Sequence, residues 1–247
     1  MDTFLEARHL GRRFMKEGHT VSAVEDVSFS LFRGECLGIA GASGSGKSTL
    51  ARMACGLLPP SEGELLLEGS PVSFKERKKL YQKMQMVFQL PRESFDSRMT
   101  LGQSVMENLH SRQGEKGNRE EMERLFTDCG LPVEMADKYP HEVSGGECQR
   151  AAIARALASR PECLVCDEAV SALDMEVQKG ILDLLMKLKT EKGLTLLFIS
   201  HDLAVISYLS DRVIIMEQGK IVEQGKTENV ISHPRHPYTK KLLAAVL

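Results

Sequence analysis

The stretch ECLGIAGASGSGKSTLARMACGLL, residues 35–58, decides the fold. Its first part, CLGIA, is a short apolar run that reads as a buried strand, and the residues after Gly46 read as a helix stopped by Pro59 and Pro60. Between them GASGSGKS, Gly41 to Ser48, fits the pattern G-x-x-x-x-G-K-[ST]. Each residue type has a physical reason. Glycines at 41, 44 and 46, interleaved with Ala42, Ser43 and Ser45, let successive backbone N–H groups turn toward a phosphate chain, and the following helix adds its positive end. Lys47 reaches the β- and γ-phosphates, and Ser48 offers a hydroxyl to Mg²⁺, with Thr49 opening the helix behind it. Strand, loop and helix in this order predict a nucleoside triphosphate site.

Working outward, FLEARHLGRRF (4–14) and VSAVEDVSFSLF (21–32) alternate as strands of an antiparallel sheet do. SEGELLLEG (61–69) reads as a turn and a strand, and MQMVFQ (84–89) as another strand. From about residue 100 to 160 the texture is helical, opened by a capping-box pattern at Thr100 and Gln103 and broken at Gly130, Pro132 and Pro140. CLVCDE (163–168), LTLLFIS (194–200) and RVIIMEQ (212–218) are near-continuous apolar runs separated by helical stretches. Such runs belong to a parallel sheet covered on both faces. The expected class is α/β with a helical insertion.

Composition narrows the function. Of 247 residues 42% are hydrophobic and 27% charged, with a formal net charge of -2, so no general attraction to nucleic acid is expected. No apolar run approaches the roughly 18 residues that cross a bilayer, and MDTFLEARHL lacks a basic-then-apolar leader, so the chain is expected in the cytosol. Six cysteines without framework spacing read as free thiols. Cys163 and Cys166 form a C-x-x-C, but on a strand residues three apart face opposite sides, against a shared metal. The basic stretch KERKK (75–79) reads as a solvated helix face, and HPRHPYTKKLL (233–243) as a helix start rather than a His-x-x-His metal pair.

Two further stretches carry chemistry. In CLVCDEAVSALD the strand delivers Asp167 to the sheet edge beside the phosphate loop, where its carboxylate can help hold Mg²⁺ through water. Glu168, adjacent and not needed for the metal, is a natural general base for an attacking water. In VSGGECQR (143–150) a hydroxyl and two glycines precede a helix, which is a second phosphate-binding turn 97 positions beyond Lys47.

Taken in order, these motifs resemble the ATP-binding cassette (ABC) ATPases over nearly the whole chain. Phe14 matches the aromatic that stacks on adenine, Gly41 to Ser48 the Walker A loop, and Gln89 the Q-loop. Ser144, Gly145, Gly146 and Glu147 lie in the signature turn, Asp167 ends Walker B, Asp174 closes the D-loop, and His201 is the switch histidine. Val143 and Glu147 stand where leucine and glutamine are usual, and a carboxylate there would weaken closure on a triphosphate. The resemblance implies an ABC-type P-loop nucleotide-binding domain, with a mainly parallel core sheet, an N-terminal antiparallel β subdomain and an α-helical insertion. The whole chain, 1–247, would be one domain. Its parts would be a RecA-like core with the β subdomain at about 1–90 and 160–230, a helical signature subdomain at about 91–159, and a C-terminal helix at about 231–247.

It also implies a mechanism and partners. ATP would bind with Mg²⁺ on Ser48, Gln89 and Asp167; Glu168, His201 and Gln89 would be catalytic; Asp174 would couple the paired sites. The signature residues would act in trans on ATP held by a second ABC ATPase subunit, a paralogue or a second copy, in a head-to-tail dimer. Two transmembrane permease subunits and an extracytoplasmic substrate-binding protein would complete an importer, with this chain peripheral on the cytoplasmic face of the inner membrane and no nucleic acid bound. HPYTKKLL and VFQLPRESFDSRMT are similar to the branch importing di- and oligopeptides, nickel and metal chelates, with Phe95, Asp96 and Ser97 where Leu-Asn-Pro is common. DEAVSALD and the lack of the long cysteine-bearing extension of many oligopeptide members favour nickel or a metal chelate over peptides. The alternative is a non-transport ABC ATPase acting on DNA or ribosomes, whose relatives carry long coiled-coil insertions or two cassettes per chain.

Overall fold

In a computed structural model, which describes residues 2–16, 19–75, 77–111 and 117–244, the chain opens with strands β1 (Thr3–Lys16) and β2 (His19–Phe32). They pair antiparallel, and β2 turns Val24, Val27, Phe29 and Leu31 to the core. Gly34, in the left-handed region at φ 71°, turns the chain into β3 (Cys36–Ala40), every residue of which is buried. Helix α1 (Lys47–Ala54) follows the glycine loop and ends earlier than its prolines suggest. Gly56 takes φ 75° and donates to Met53 O, Leu58 donates to Arg52 O, and the helix is closed before Pro59 is reached. Then come β4 (Glu62–Leu67), β5 (Ser70–Pro71), α2 (Lys78–Lys83) and β6 (Met84–Val87). The basic run 75–79 includes residue 76, which lies outside the described residues, and only its last two lysines are helical.

The helical layer is α3 (Leu101–His110), α4 (Arg119–Asp128) and α5 (Gly145–Ala158). The expected capping box forms: Gln103 N–H donates to Thr100 Oγ1 and Thr100 N–H to Gln103 Oε1. Gly130, at φ 70°, ends the turn after α4. The remaining elements are β7 (Cys163–Asp167), α6 (Met175–Lys192), β8 (Thr195–Ser200), α7 (Leu203–Leu209), β9 (Arg212–Glu217), β10 (Lys220–Lys226), α8 (Thr227–Ser232) and α9 (Pro237–Ala244). Residues 245–247, within the expected C-terminal helix, lie outside the described residues.

Two sheets result, one ordered β2-β1-β4-β5 and one β10-β9-β3-β8-β7-β6. The second is parallel from β9 to β6, with β10 antiparallel at its edge. β10 has no counterpart in the sequence reading. It follows a tight turn whose residues Gln218 and Gly219 both take positive φ, 47° and 81°, the conformation two-residue hairpins need. One face of the parallel sheet packs on α1 and the antiparallel sheet, through Leu37, Ile39, Leu50, Met53, Phe4 and Leu10. The other face packs on the helical layer through Phe198, Leu196, Ile153 and Ile181. Cys163 belongs to the first core and Cys166 to the second, as strand alternation requires. Among the described residues no helix is long and apolar enough to cross a membrane.

Candidate functional site

β3 is central in the parallel sheet, so the loop after it emerges at the carboxyl edge, where open α/β sheets bind ligands. The glycines there are forced by close approach. A Cβ on Gly41 would lie 2.3 Å from Met216 O, and one on Gly46 2.3 Å from Ala23 O. Gly219 ties the loop down, donating to Ser45 O and accepting from Glu25 N–H. Lys47 is 3% exposed and its Nζ donates to Gly41 O and Ala42 O, both at 2.9 Å. Burial lowers its pKa, partly opposed by Glu168 and Asp167. Ser43 and Gly44 are exposed at the loop's crest, while Ser45 Oγ is buried without a hydrogen-bond partner among the described residues. Thr49 lies half-buried in the first turn of α1.

The carboxylates arrive from β7. Asp167 is 5% exposed, accepts from Ser48 Oγ at 2.8 Å, and is pushed up in pKa by burial, against the Ser48 hydrogen bond and Arg52. Glu168 sits in the left-handed region at φ 49°, held by its N–H to Ile199 O and by Ser171, which donates backbone and hydroxyl to Glu168 O. Among the described residues five other non-glycine residues, His9, Asp26, Glu68, Arg160 and Gln218, share that region, so the conformation sets the direction of Glu168 without marking it as functional. Gln89 Nε2 faces Ser171 Oγ at 3.2 Å and Glu168 Oε2 at 3.4 Å, and His201 Nδ1 lies 3.3 Å from the same Glu168 oxygen. Ser48, Arg52, Gln89, Glu93 and Asp167 line one cleft of about 380 Å³. The oxygen donors Ser48, Asp167 and Gln89 are those a hard cation such as Mg²⁺ takes, and the glycine cradle with the orphaned Ser45 hydroxyl suits polyphosphate.

Phe14 is 38% exposed, with the Arg12 guanidinium 4.9 Å from its ring centroid. Its partner on β2 is Val21, two residues from Ala23, whose carbonyl abuts Gly46. The second glycine turn is elsewhere. Ser144 caps α5, and Glu147 completes a capping box, accepting from Ser144 N–H at 2.8 Å and from its hydroxyl at 2.7 Å. Those bonds lower the Glu147 pKa. Gly145 and Gly146 pack on Leu173 and Val177; a Cβ on Gly146 would come within 2.3 Å of Val177 Cγ1. Asp174 has a job in its own chain, capping α6 by accepting from Val177 N–H.

Three neighbours of the site were not singled out by sequence. Ser171 anchors Glu168, Arg92 donates to Val143 O just before the glycine turn, and Tyr238 Oη accepts the N–H of Ala42 at 2.9 Å. All three lie inside quoted stretches, Ser171 in CLVCDEAVSALD, Arg92 in VFQLPRESFDSRMT and Tyr238 in HPYTKKLL.

Comparison with known proteins supports the same grouping. The family described as ABC transporter matches residues 24–171, and that described as oligopeptide/dipeptide transporter, C-terminal region, matches 222–247. The chain is similar to the oligopeptide transport ATP-binding protein OppF of Bacillus subtilis, 44% identical over 99% of this chain and 83% of that one. The OppF of Haemophilus influenzae is 42% identical over 99% and 78%. Among solved structures, a post-hydrolysis dimer of the ATP-binding cassette MJ0796 bound to ADP and phosphate superposes with a TM-score of 0.82, at 27% identity over 90% of this chain and 98% of that one. cbiO1 of Clostridium perfringens, part of the transporter complex cbiONQ, gives 0.82 at 28% identity over 94% and 92%. A family match over more than half of the sequence and close relatives along almost all of it lead to one conclusion: this chain belongs to the ABC transporter family.

Proposed function

We propose that the chain is the ATP-hydrolysing subunit of a peptide importer, working as one half of a head-to-tail pair of cassettes beneath two permease subunits. The pair would sit on the cytoplasmic face of the inner membrane and serve an extracytoplasmic binding protein through the complex. The observation that carries the hydrolytic part is the convergence of Gln89, Glu168 and His201 beside Ser48, Asp167 and the Lys47 loop. The importer part is supported by the names of the relatives and by the matched C-terminal region. The sequence ranked nickel or a metal chelate first. The relatives given above are named for oligopeptides, so peptides take precedence. The core, helical and C-terminal divisions expected from sequence are kept as the working domain scheme.

In this reading adenine stacks on Phe14 and the phosphates lie along Gly41 to Thr49. Lys47 exchanges two carbonyl partners for phosphate oxygens, which suits an ammonium already stripped of water. Ser48, Gln89 and Asp167 would hold Mg²⁺, whose charge offsets that of the phosphates when bound. Glu168 takes the proton of the attacking water, Gln89 and Ser171 fix its carboxylate and backbone, and His201 steadies the γ-phosphate. Ser144, Gly145, Gly146 and Glu147 face the partner's nucleotide, and Asp174 lies between the paired sites.

Glu168→Gln should keep Mg·ATP binding and cut hydrolysis by about 10²–10⁴, because it removes a proton acceptor at constant shape. Near-normal turnover in single-turnover assays of the purified variant would remove Glu168 from the mechanism.

A further inference from the structure

The C-terminal segment reaches the nucleotide loop through a hydrogen bond from Ala42 N–H to Tyr238 Oη. Glu223 on β10 accepts the N–H groups of Arg235 and His236, at 2.9 and 3.0 Å, which fixes the chain where α9 begins. His236 Nδ1 accepts from Tyr238 N–H at 3.3 Å, and Tyr238, Leu242 and Leu243 pack against the core beneath the helical layer. The Tyr238 hydroxyl then reaches across 196 positions of sequence to Ala42 N–H.

What that hydroxyl holds is informative. Gly41 C=O and Ala42 N–H belong to one planar amide, whose oxygen and hydrogen point in opposite directions. The oxygen accepts Lys47 Nζ and the hydrogen is taken by Tyr238. The plane is also wedged from the β9 side, since Gly41 has no room for a Cβ beside Met216 O. On binding a triphosphate Lys47 would leave the carbonyl for phosphate, and the oxygen side of the plane loses its anchor. The Tyr238 contact does not involve the lysine and survives that exchange.

We propose that Tyr238 is a positioning residue of the ATP site: the C-terminal segment holds the Gly41–Ala42 peptide in place while Lys47 changes partners, so that the loop enters the bound state already ordered. This rests on the reading of Gly41 to Ser48 as the ATP loop. Preordering of this kind acts on affinity, not on the proton transfer at Glu168.

The test is Tyr238→Phe, which keeps the ring and its packing and removes only the acceptor. Kd for Mg·ATP by titration calorimetry should rise roughly 3- to 10-fold, the range of one backbone hydrogen bond, with kcat within about twofold and little change in Tm. Glu223→Gln, which weakens the anchor of the segment, should raise Kd in the same direction. A Tyr238→Phe Kd within twofold of the native value overturns the proposal, whether or not Tm falls, because a purely structural role would show in Tm alone. Failure of the native chain to bind Mg·ATP would instead sink the reading of the loop itself.

Discussion

Glu147 brings a charge into the signature turn, where the resembled pattern has glutamine. As the third residue of α5 it accepts both the N–H and the hydroxyl of Ser144, so the hydroxyl proposed to meet a partner's phosphate is committed to a carboxylate. A negative charge near the first turn also compensates the positive end of the helix, which a phosphate would otherwise feel. Glutamine at this position keeps an oxygen for the capping box and removes the charge. Glu147→Gln, made together with Glu168→Gln so that ATP persists, should therefore strengthen ATP-dependent dimerisation about two- to fivefold, the scale of a screened helix-terminus charge effect. Sedimentation at graded ATP concentration measures it. An unchanged or weaker dimer would mean that Glu147 serves only the cap.

At the scale of elements, the turn after Gln89 and the helix α5 are bound as one unit. Arg155 on α5 donates to Ser94 O at 2.6 Å and Ser94 Oγ at 2.9 Å, and its guanidinium lies 4.2 Å from the Phe95 ring centroid. Arg92 from the same turn holds Val143 O at the other end of the helix. The aromatic at 95, unusual for the resembled branch, thus has a physical use as the stacking surface for a half-buried cation. Burial lowers the Arg155 pKa. Arg155→Met should leave the Ser94 carbonyl unpaired and cost about 1–3 kcal/mol, a fall in Tm of roughly 2–4 °C per kcal/mol for a chain of this size. No change in thermal unfolding would show that water replaces the guanidinium. These contacts also mark where sequence reading stops. The phosphate loop was legible because strand, glycines, lysine and helix lie together in one local stretch. Strand β10 was not, because an edge strand with half-exposed residues has no apolar run. The end of α1 was misplaced because a left-handed glycine closed the helix before the prolines could. The Ala42 to Tyr238 pairing has no local signature at all, since only the fold brings the two together.

At the scale of the molecule, the two phosphate-binding turns share no described partner within one chain. The first is enclosed by Ala23, Met216, Tyr238 and Asp167, and the second by Leu173, Val177 and Glu147. The second turn presents the exposed Ser144 at a helix start, 97 positions in sequence from Lys47, which fits the proposed arrangement in which another surface brings the ligand. Ser144→Arg should accordingly bind Mg·ATP normally and hydrolyse none, since a bulky cation fills the approach to the turn. Lys47→Ala should fail through its own loop. In a head-to-tail pair, one mixed site combines both defects and the other combines two intact halves. Once the Glu168→Gln protein has been shown to pair with itself, mixing the two inactive variants in equal amounts should restore about a quarter of the native activity, because random pairing makes half the dimers mixed and each of those has one sound site. A turn acting within its own chain leaves no sound site at any mixing ratio, and a flat zero across the titration would refute the trans arrangement.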